Sequence, residues 1–85
     1  MAIMLASALM VQTPSCASWT EIVKGLGNQY HEVLNGQGVM LRNGLLMELY
    51  VSTAGTWTIL MTDRKRACIV MVGDGWEAKT KGQSL

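Results

Sequence analysis

The sequence is poor in His and Cys, two of the residue types from which catalytic and metal sites are most often built. Its 85 residues include one His, two Cys, one Pro and no Phe. The two cysteines form no C-x-x-C motif and no Cys-His cluster, so no common zinc or redox spacing is present. His31 stands beside Glu32, but neighbours in a strand point to opposite faces, which leaves His31 without an orienting acid. We therefore predict no catalytic residue, no metal site, no cofactor and no enzyme activity.

An excess of one sign of charge is also missing. Seven Lys and Arg stand against six Asp and Glu, so the formal net charge is +1. Proteins that bind nucleic acid through its phosphates carry a clear basic excess. We therefore predict no nucleic-acid binding. The one basic run, Arg64, Lys65 and Arg66, is interpreted as a solvated hairpin tip, or else as the candidate interaction patch for an acidic partner.

No apolar run is long enough to cross a bilayer as a helix, which takes about 20 residues. The apolar start, MAIMLASALMVQ, resembles the centre of a secretory signal peptide, and Ser15 and Ala17 have the spacing of a cleavage site after Ala17. The alternative is an uncleaved segment that contacts a membrane or a neighbouring chain. We assign residues 1–17 to a leader, 18–77 to a folded domain and 78–85 to a polar tail.

What the sequence does contain favours a small folded core. Hydrophobic residues make up 49% of the chain, with seven Met and three Trp. Disordered chains are poor in such residues. A core built from so few residues usually needs a covalent link or a partner for stability.

A helix is predicted to begin at Trp19. Ser18 and Glu21 form the S-W-T-E capping box, in which the serine oxygen accepts the backbone N–H of Glu21. An apolar stripe follows at helical spacing as far as Tyr30, made of Ile22, Val23, Leu26 and Tyr30.

After residue 31 the hydrophobic period becomes two, and turn signals recur at short intervals. The signals are NGQG at 35–38, NG at 43–44, TAGT at 53–56 and DRKR at 63–66. Strands are predicted at 31–34, 38–42, 45–52, 56–62 and 67–72, with a type I′ turn at Asn43 and Gly44. These elements predict an α+β fold, with one N-terminal helix packed on a four- to five-stranded antiparallel meander sheet.

The two faces of the predicted sheet differ in polarity. Met47, Leu49 and Val51 alternate with more polar positions that include Glu48 and Tyr50. One helix can cover only one face. We expect the more polar face to meet water or a partner.

The cysteines have two interpretations. Cys68 alternates with Val70 and Val72 on one strand face, and Cys16 precedes the helix cap. Each is either a buried free thiol or half of a disulfide that holds the helix start against the last strand. The leader-like start favours the disulfide. A lipid anchor on Cys16 is a weaker alternative, because T-P-S before it departs from the expected Leu-rich box.

The stretch G-D-G at the end of the last strand is predicted to be a turn. Asp74 is followed by no G-K-[ST] motif and belongs to no series of alternating acids, so neither a phosphate loop nor a calcium loop fits. We expect this turn to fold Trp76 back over the sheet.

The stretch GTWTILMTDRKRACIVMVGDGWE, with the helix ending in QYHE, resembles a group of small uncharacterised exported proteins of alphaproteobacteria. In that group a leader and a Cys precede a short helix and a sheet with the pattern GTWTILxT…C…GxGWE. The resemblance covers residues 16 to 77; its sharpest positions are Gly55, Thr56, Trp57, Thr58, Cys68, Gly73, Gly75, Trp76 and Glu77. The shortened leader and D-R-K-R depart from it, the latter where a Pro-Asp-Gly type of turn is usual. It implies a periplasmic setting and paired cysteines, and no activity.

These observations predict a non-catalytic interaction or structural module that is periplasmic or secreted and binds a protein partner or associates with itself. One alternative is a component of a viral particle or multisubunit complex with an uncleaved leader. The other is a small-ligand binder or enzyme with a pocket between helix and sheet, using His31 and Tyr50 or Asp74 as polar groups.

Overall fold

The computed structural model describes residues 15–79, which form one helix on a five-stranded antiparallel sheet. The α+β prediction is confirmed. The elements are β1 (Ser15–Ser18), α1 (Trp19–Tyr30), β2 (Val33–Val39), β3 (Leu46–Val51), β4 (Trp57–Thr62) and β5 (Arg66–Gly73), and the strand order is β1-β5-β4-β3-β2. Most of the predicted leader and most of the predicted tail lie outside the described residues.

The helix begins where the capping box predicted. Ser18 is the N-cap, and its Oγ accepts a hydrogen bond from the Glu21 N–H at 3.2 Å. The C-cap is His31, which has a left-handed φ of 57° and donates its N–H to Gly27 O at 3.2 Å. His31 was expected in the first strand of the meander. It ends the helix instead, and the Glu32 N–H closes the cap on Leu26 O at 3.0 Å.

Residues 35–38, predicted as a turn, lie inside a strand. β2 runs continuously from Val33 to Val39 along β3, and a bulge between Leu34 and Gly36 absorbs the extra residue Asn35. The turn prediction was wrong because pairing with β3 supplies backbone partners that a local turn would forgo. The bulge accommodates the Asn-Gly step without ending the ladder.

The loop between β2 and β3 is at the predicted place but is wider than a type I′ turn. The Met40 N–H donates to Leu45 O at 2.7 Å, and the Gly44 N–H donates to Met40 O at 2.8 Å. Gly44 has a φ of 73°, whereas Asn43 is not among the residues with positive φ. Asn43 acts through its side chain, whose Oδ1 accepts the Leu45 N–H at 2.9 Å.

The first strand, β1, was not predicted. It takes in residues 15–17, which we expected in the leader, and it pairs with β5 so that Cys16 lies opposite Cys68. These two residues form a disulfide with a Cα–Cα distance of 4.0 Å, which confirms the predicted bond. The bond joins two adjacent strands rather than the helix cap and a strand. Because cleavage after Ala17 would remove Cys16, that cleavage and this disulfide exclude each other.

The helix covers the more polar face of the sheet, contrary to expectation. Leu26 of α1 forms the buried core with Tyr50, Leu60 and Ala67. The same face buries Glu48, which is 0% exposed. Two threonines of this face, Thr58 and Thr62, are also buried. The polar residues are therefore inside, and the more apolar face is the one that α1 leaves uncovered.

A bulge in β5 changes which residues share a face with Cys68. Leu60 of β4 pairs with Ile69, but Ile59 pairs with Met71, so Val70 is the extra residue. The alternation of Cys68 with Val70 and Val72 is therefore interrupted. Cys68 faces away from α1, beside Met61 and Met71.

The disulfide should supply a large part of the stability. It closes a loop with a sequence separation of 52 residues. Reduction, or the double change Cys16→Ser and Cys68→Ser, should lower the free energy of unfolding by about 4 kcal/mol in the chain-entropy model. Urea unfolding of the oxidised protein, with non-reducing intact mass reporting the loss of two hydrogens, measures this. Reductant should leave the free energy of unfolding of the double variant unchanged. If reductant lowers it as much as in the wild type, the loss does not come from the disulfide.

Candidate functional site: the open face of the sheet

The sheet face opposite α1, which we call the open face, is almost wholly apolar. Strand pairing places on it residues of all five strands. Its members are Cys16 and Ser18 of β1, Val33, Gly36 and Gly38 of β2, Met47, Leu49 and Val51 of β3, Trp57, Ile59 and Met61 of β4, and Arg66, Cys68, Met71 and Gly73 of β5. Arg66, at one end, is the one charged residue among them.

The open face is built from rows of side chains that cross the sheet. One row consists of Gly38, Met47, Met61, Cys68 and Cys16. The next row consists of Gly36, Leu49, Ile59 and Met71. Met47 and Met71 are 45% and 53% exposed. Thioether side chains are flexible and polarisable, so this surface can adapt to an apolar partner.

Two tryptophans close one end of the open face. The Trp57 ring lies directly over Gly73, where a Cβ would collide with it, and its Nε1 donates to Asp74 O at 3.2 Å. The Trp76 ring stands edge-on to Trp57 with a centroid distance of 6.3 Å. The Trp76 N–H also donates to Gly55 O at 2.9 Å. The G-D-G stretch therefore brings the Trp76 ring against Trp57 at the end of the sheet.

The basic run lies at the opposite end, where the structure divides it. Arg64 has a positive φ of 73° and turns toward the helix side, where Nε donates to Glu48 Oε2 and Nη2 to Gln37 Oε1, each at 2.8 Å. Arg66 pairs with Ser18 on the open side, and both Lys65 and Arg66 are exposed. Of the three basic residues, Lys65 and Arg66 have side chains available to bind an acidic partner.

A shallow hollow of about 180 Å³ lies at this end of the open face. Its lining includes Leu45, Met61, Asp63, Arg66 and Cys68. Asp63 accepts backbone N–H bonds from Lys65 at 2.8 Å and Arg66 at 2.9 Å. The bond from Arg66, and then that from Lys65, holds the pKa of Asp63 below its usual value. Asp63 is thus a charged turn residue that fixes Arg66 beside the hollow.

Beneath the helix, Glu48 forms a polar cluster that the sequence did not reveal. Its Oε1 accepts from Trp19 Nε1 at 2.8 Å and from Tyr50 OH at 2.9 Å, and its Oε2 pairs with Arg64 Nε at 2.8 Å. The Arg64 guanidinium also lies 5.4 Å from the centroid of the Trp19 ring. The one sequence feature that indicates this cluster is the acidic residue Glu48 at an inward-facing position of β3. With both carboxylate oxygens engaged, we assign the cluster a structural role.

The predicted helix-sheet pocket exists, but with a different polar group. A cleft of about 260 Å³ lies between the end of α1 and the sheet. Of the three polar groups proposed for it, His31, Tyr50 and Asp74, none lines this cleft, whereas Glu32 does. Glu32 was overlooked because it was placed in a strand rather than behind a helix cap.

Within residues 15–79, no three His, Cys, Asp or Glu side chains lie close enough together to hold a metal ion. In the same part of the chain no helix has the length and hydrophobicity needed to cross a bilayer. No protein-family model, curated protein or solved structure matches the chain. Membership of the alphaproteobacterial group therefore stays a prediction.

The Glu48 cluster should be essential for stability. Glu48→Leu leaves Trp19 Nε1 and Tyr50 OH without their acceptor, and two such buried donors cost about 2 to 4 kcal/mol in the free energy of unfolding. The matched change Glu77→Leu, at a side chain that is 77% exposed, should cost less than about 0.5 kcal/mol. Urea unfolding compares the two. Equal losses would contradict the assigned role of the cluster.

Tyr50 should make stability fall at alkaline pH. Burial, followed by its hydrogen bond to Glu48, raises the pKa of Tyr50 well above the ordinary 10.0. The unfolded chain therefore loses the Tyr50 proton first, so this contribution is complete below about pH 10 and declines above it. Tyrosinate absorbance is titrated against pH for the wild type and for Tyr50→Phe. The difference between the two curves gives the titration of Tyr50. A midpoint at or below 10 would contradict the prediction.

Proposed function

We propose that this protein is an exported, non-catalytic interaction module that docks an amphipathic helix of a partner protein on its open face. The observation that carries the proposal is the apolar composition of that face on the side opposite α1. An apolar surface this continuous on a small domain is typical of an interaction site.

The dimensions of the open face support a single helix as the occupant. Five strands at a spacing of about 4.8 Å span about 19 Å, and six residues of strand span about 20 Å. A helix of about 12 residues is about 18 Å long. The same sheet already carries the 12-residue helix α1 on its other face. A partner helix would complete a helix-sheet-helix arrangement.

The charge on the open face supports an acidic residue at one end of that helix. Arg66 is exposed at the turn end and forms no salt bridge with any residue in 15–79. The other members of the open face are uncharged, and the carboxylate of Asp63, which lines the hollow, accepts the N–H groups of Lys65 and Arg66. The hollow beside Arg66 would receive an apolar anchor side chain, as interface hot spots commonly do.

The need for an acidic residue opposite Arg66 favours a partner helix over the chain's own N-terminal segment as the occupant of the open face. Residues 1–14 are largely apolar and contain no Asp or Glu. They would cover the open face without pairing with Arg66. A partner helix with an acidic end satisfies both the apolar rows and this arginine.

The disulfide supports export. Disulfides persist mainly in oxidising compartments, and the apolar start of the chain has the character of a signal peptide. A cleavage site would have to precede Cys16 to leave the bond intact. We therefore propose a periplasmic or secreted location; assembly into a larger complex with the leader retained is the alternative, and intact mass of the native protein separates the two.

A test uses a fluorescent 14-residue amphipathic helical peptide with a Leu and Ala stripe and two Glu at one end. Wild type should bind it, as measured by fluorescence anisotropy, and Met47→Lys should weaken binding at least about tenfold because it places a charge in the centre of the open face. Leu41→Lys is the matched control. Leu41 is 101% exposed in the β2–β3 loop, away from the face, so this change should leave the affinity within about twofold.

The change Arg66→Glu tests whether residue 66 contacts the charged end of the peptide. This variant should prefer a peptide with Lys in place of the two Glu, reversing the wild-type preference. Circular dichroism checks that all variants fold. No binding by wild type, or equal weakening by Met47→Lys and Leu41→Lys, would overturn the proposal. Binding without any preference at Arg66 would overturn the acidic partner.

A further inference from the structure

The cleft between the end of α1 and the sheet contains a buried carboxyl group without a described partner. Glu32 is 4% exposed, and its Oε1 is buried with no hydrogen-bond partner among residues 15–79. Buried polar atoms are nearly always bonded, because leaving one unpaired costs the full desolvation of the group. An unpaired carboxyl oxygen beside a cavity is the arrangement expected of a ligand site.

The backbone holds Glu32 firmly in this place. The left-handed conformation of His31 ends α1, and the Glu32 N–H donates to Leu26 O at 3.0 Å. Glu32 therefore follows directly from a closed helix cap rather than from a free loop. Its side chain lines the cleft, together with Leu26 from the helix and Ile69 and Val72 from β5.

The surroundings of Glu32 favour a positively charged group. The carboxyl end of a helix carries partial negative charge, and the last turn of α1 contains no basic residue. Among residues 15–79, no Lys or Arg lines the cleft. A carboxyl group placed there gains no cation from the described part of the chain, so an incoming ammonium group would be stabilised by both the acid and the helix end.

The size and lining of the cleft define the rest of the ligand. A volume of about 260 Å³ exceeds the roughly 150 Å³ in which an apolar protein cavity holds benzene. It is smaller than the cavities of 300 Å³ or more, roughly, that accept drug-sized molecules. Apart from Glu32, the lining is mainly apolar, with Leu26, Tyr30, Ile69 and Val72. One ring or a short alkyl chain with a single amine fits this description.

We propose that this cleft binds a small apolar monoamine, whose ammonium group donates to Glu32 while its hydrocarbon part lies against the helix and β5. The site lies at the end of α1 and shares Trp57 and Gly73 with one end of the open face, whereas Glu32, Leu26 and Val72 belong to the cleft alone. It goes beyond the docking function, and either can fail without the other.

The test compares 2-phenylethylamine with its neutral analogue 2-phenylethanol, both titrated into the full chain and followed by NMR chemical shifts of residues 26, 32 and 72. The amine should bind at least about tenfold more tightly than the alcohol. Glu32→Gln should weaken amine binding at least about tenfold and leave the alcohol within about twofold, since it removes the charge but keeps the shape.

Two further variants keep the result decisive. Glu21→Gln removes an exposed acid from the first turn of the same helix and should not change the affinity of either probe. Val72→Phe fills the cleft and should weaken both probes, whether or not Glu32→Gln folds. Equal affinity for amine and alcohol, equal weakening by Glu21→Gln and Glu32→Gln, or binding unchanged by Val72→Phe would each overturn the proposal.

Discussion

The buried carboxylate of Glu48 is the constraint on which the arrangement of this domain depends. A carboxylate removed from water costs several kcal/mol unless donors surround it, and Glu48 is 0% exposed. Its donors come from three separate places: Trp19 at the start of α1, Tyr50 on the same strand and Arg64 in the β4–β5 turn. The helix must therefore lie on the face that carries Glu48. Helix, sheet and turn are connected through one side chain.

The open face exists because the helix lies on the sheet face that carries Glu48. Because residues alternate along a strand, burying Glu48 and Tyr50 under α1 turns Met47, Leu49 and Val51 to the other side. The domain thus leaves much of its apolar sheet surface without the helix and relies on a small core. The disulfide between β1 and β5 compensates for this, since it constrains the unfolded chain without adding buried area.

The features predicted correctly depend on short stretches of chain, and most of the errors depend on distant pairing. Ser18 and Glu21 lie three residues apart, so the helix start could be read from the sequence. The strand β1 and the bulge at Val70 exist because of partners on β5 and β4, and no local pattern announces them. Glu32 was misplaced for a local reason, because a left-handed cap at a non-glycine residue, His31, is rarely signalled by sequence.

The sequence by itself determined the α+β class, the helix start and the alternation along β3 and β4. Each follows from local propensity or from hydrophobic period, whereas the sequence left the two cysteines as either free thiols or a disulfide, and the structure shows the disulfide. Tertiary structure alone decided which face the helix covers and which acid enters the cleft. Alternation divides a strand into two faces but does not say which is inside. That depends on whether donors from elsewhere reach Glu48, and their approach exists only in the folded chain.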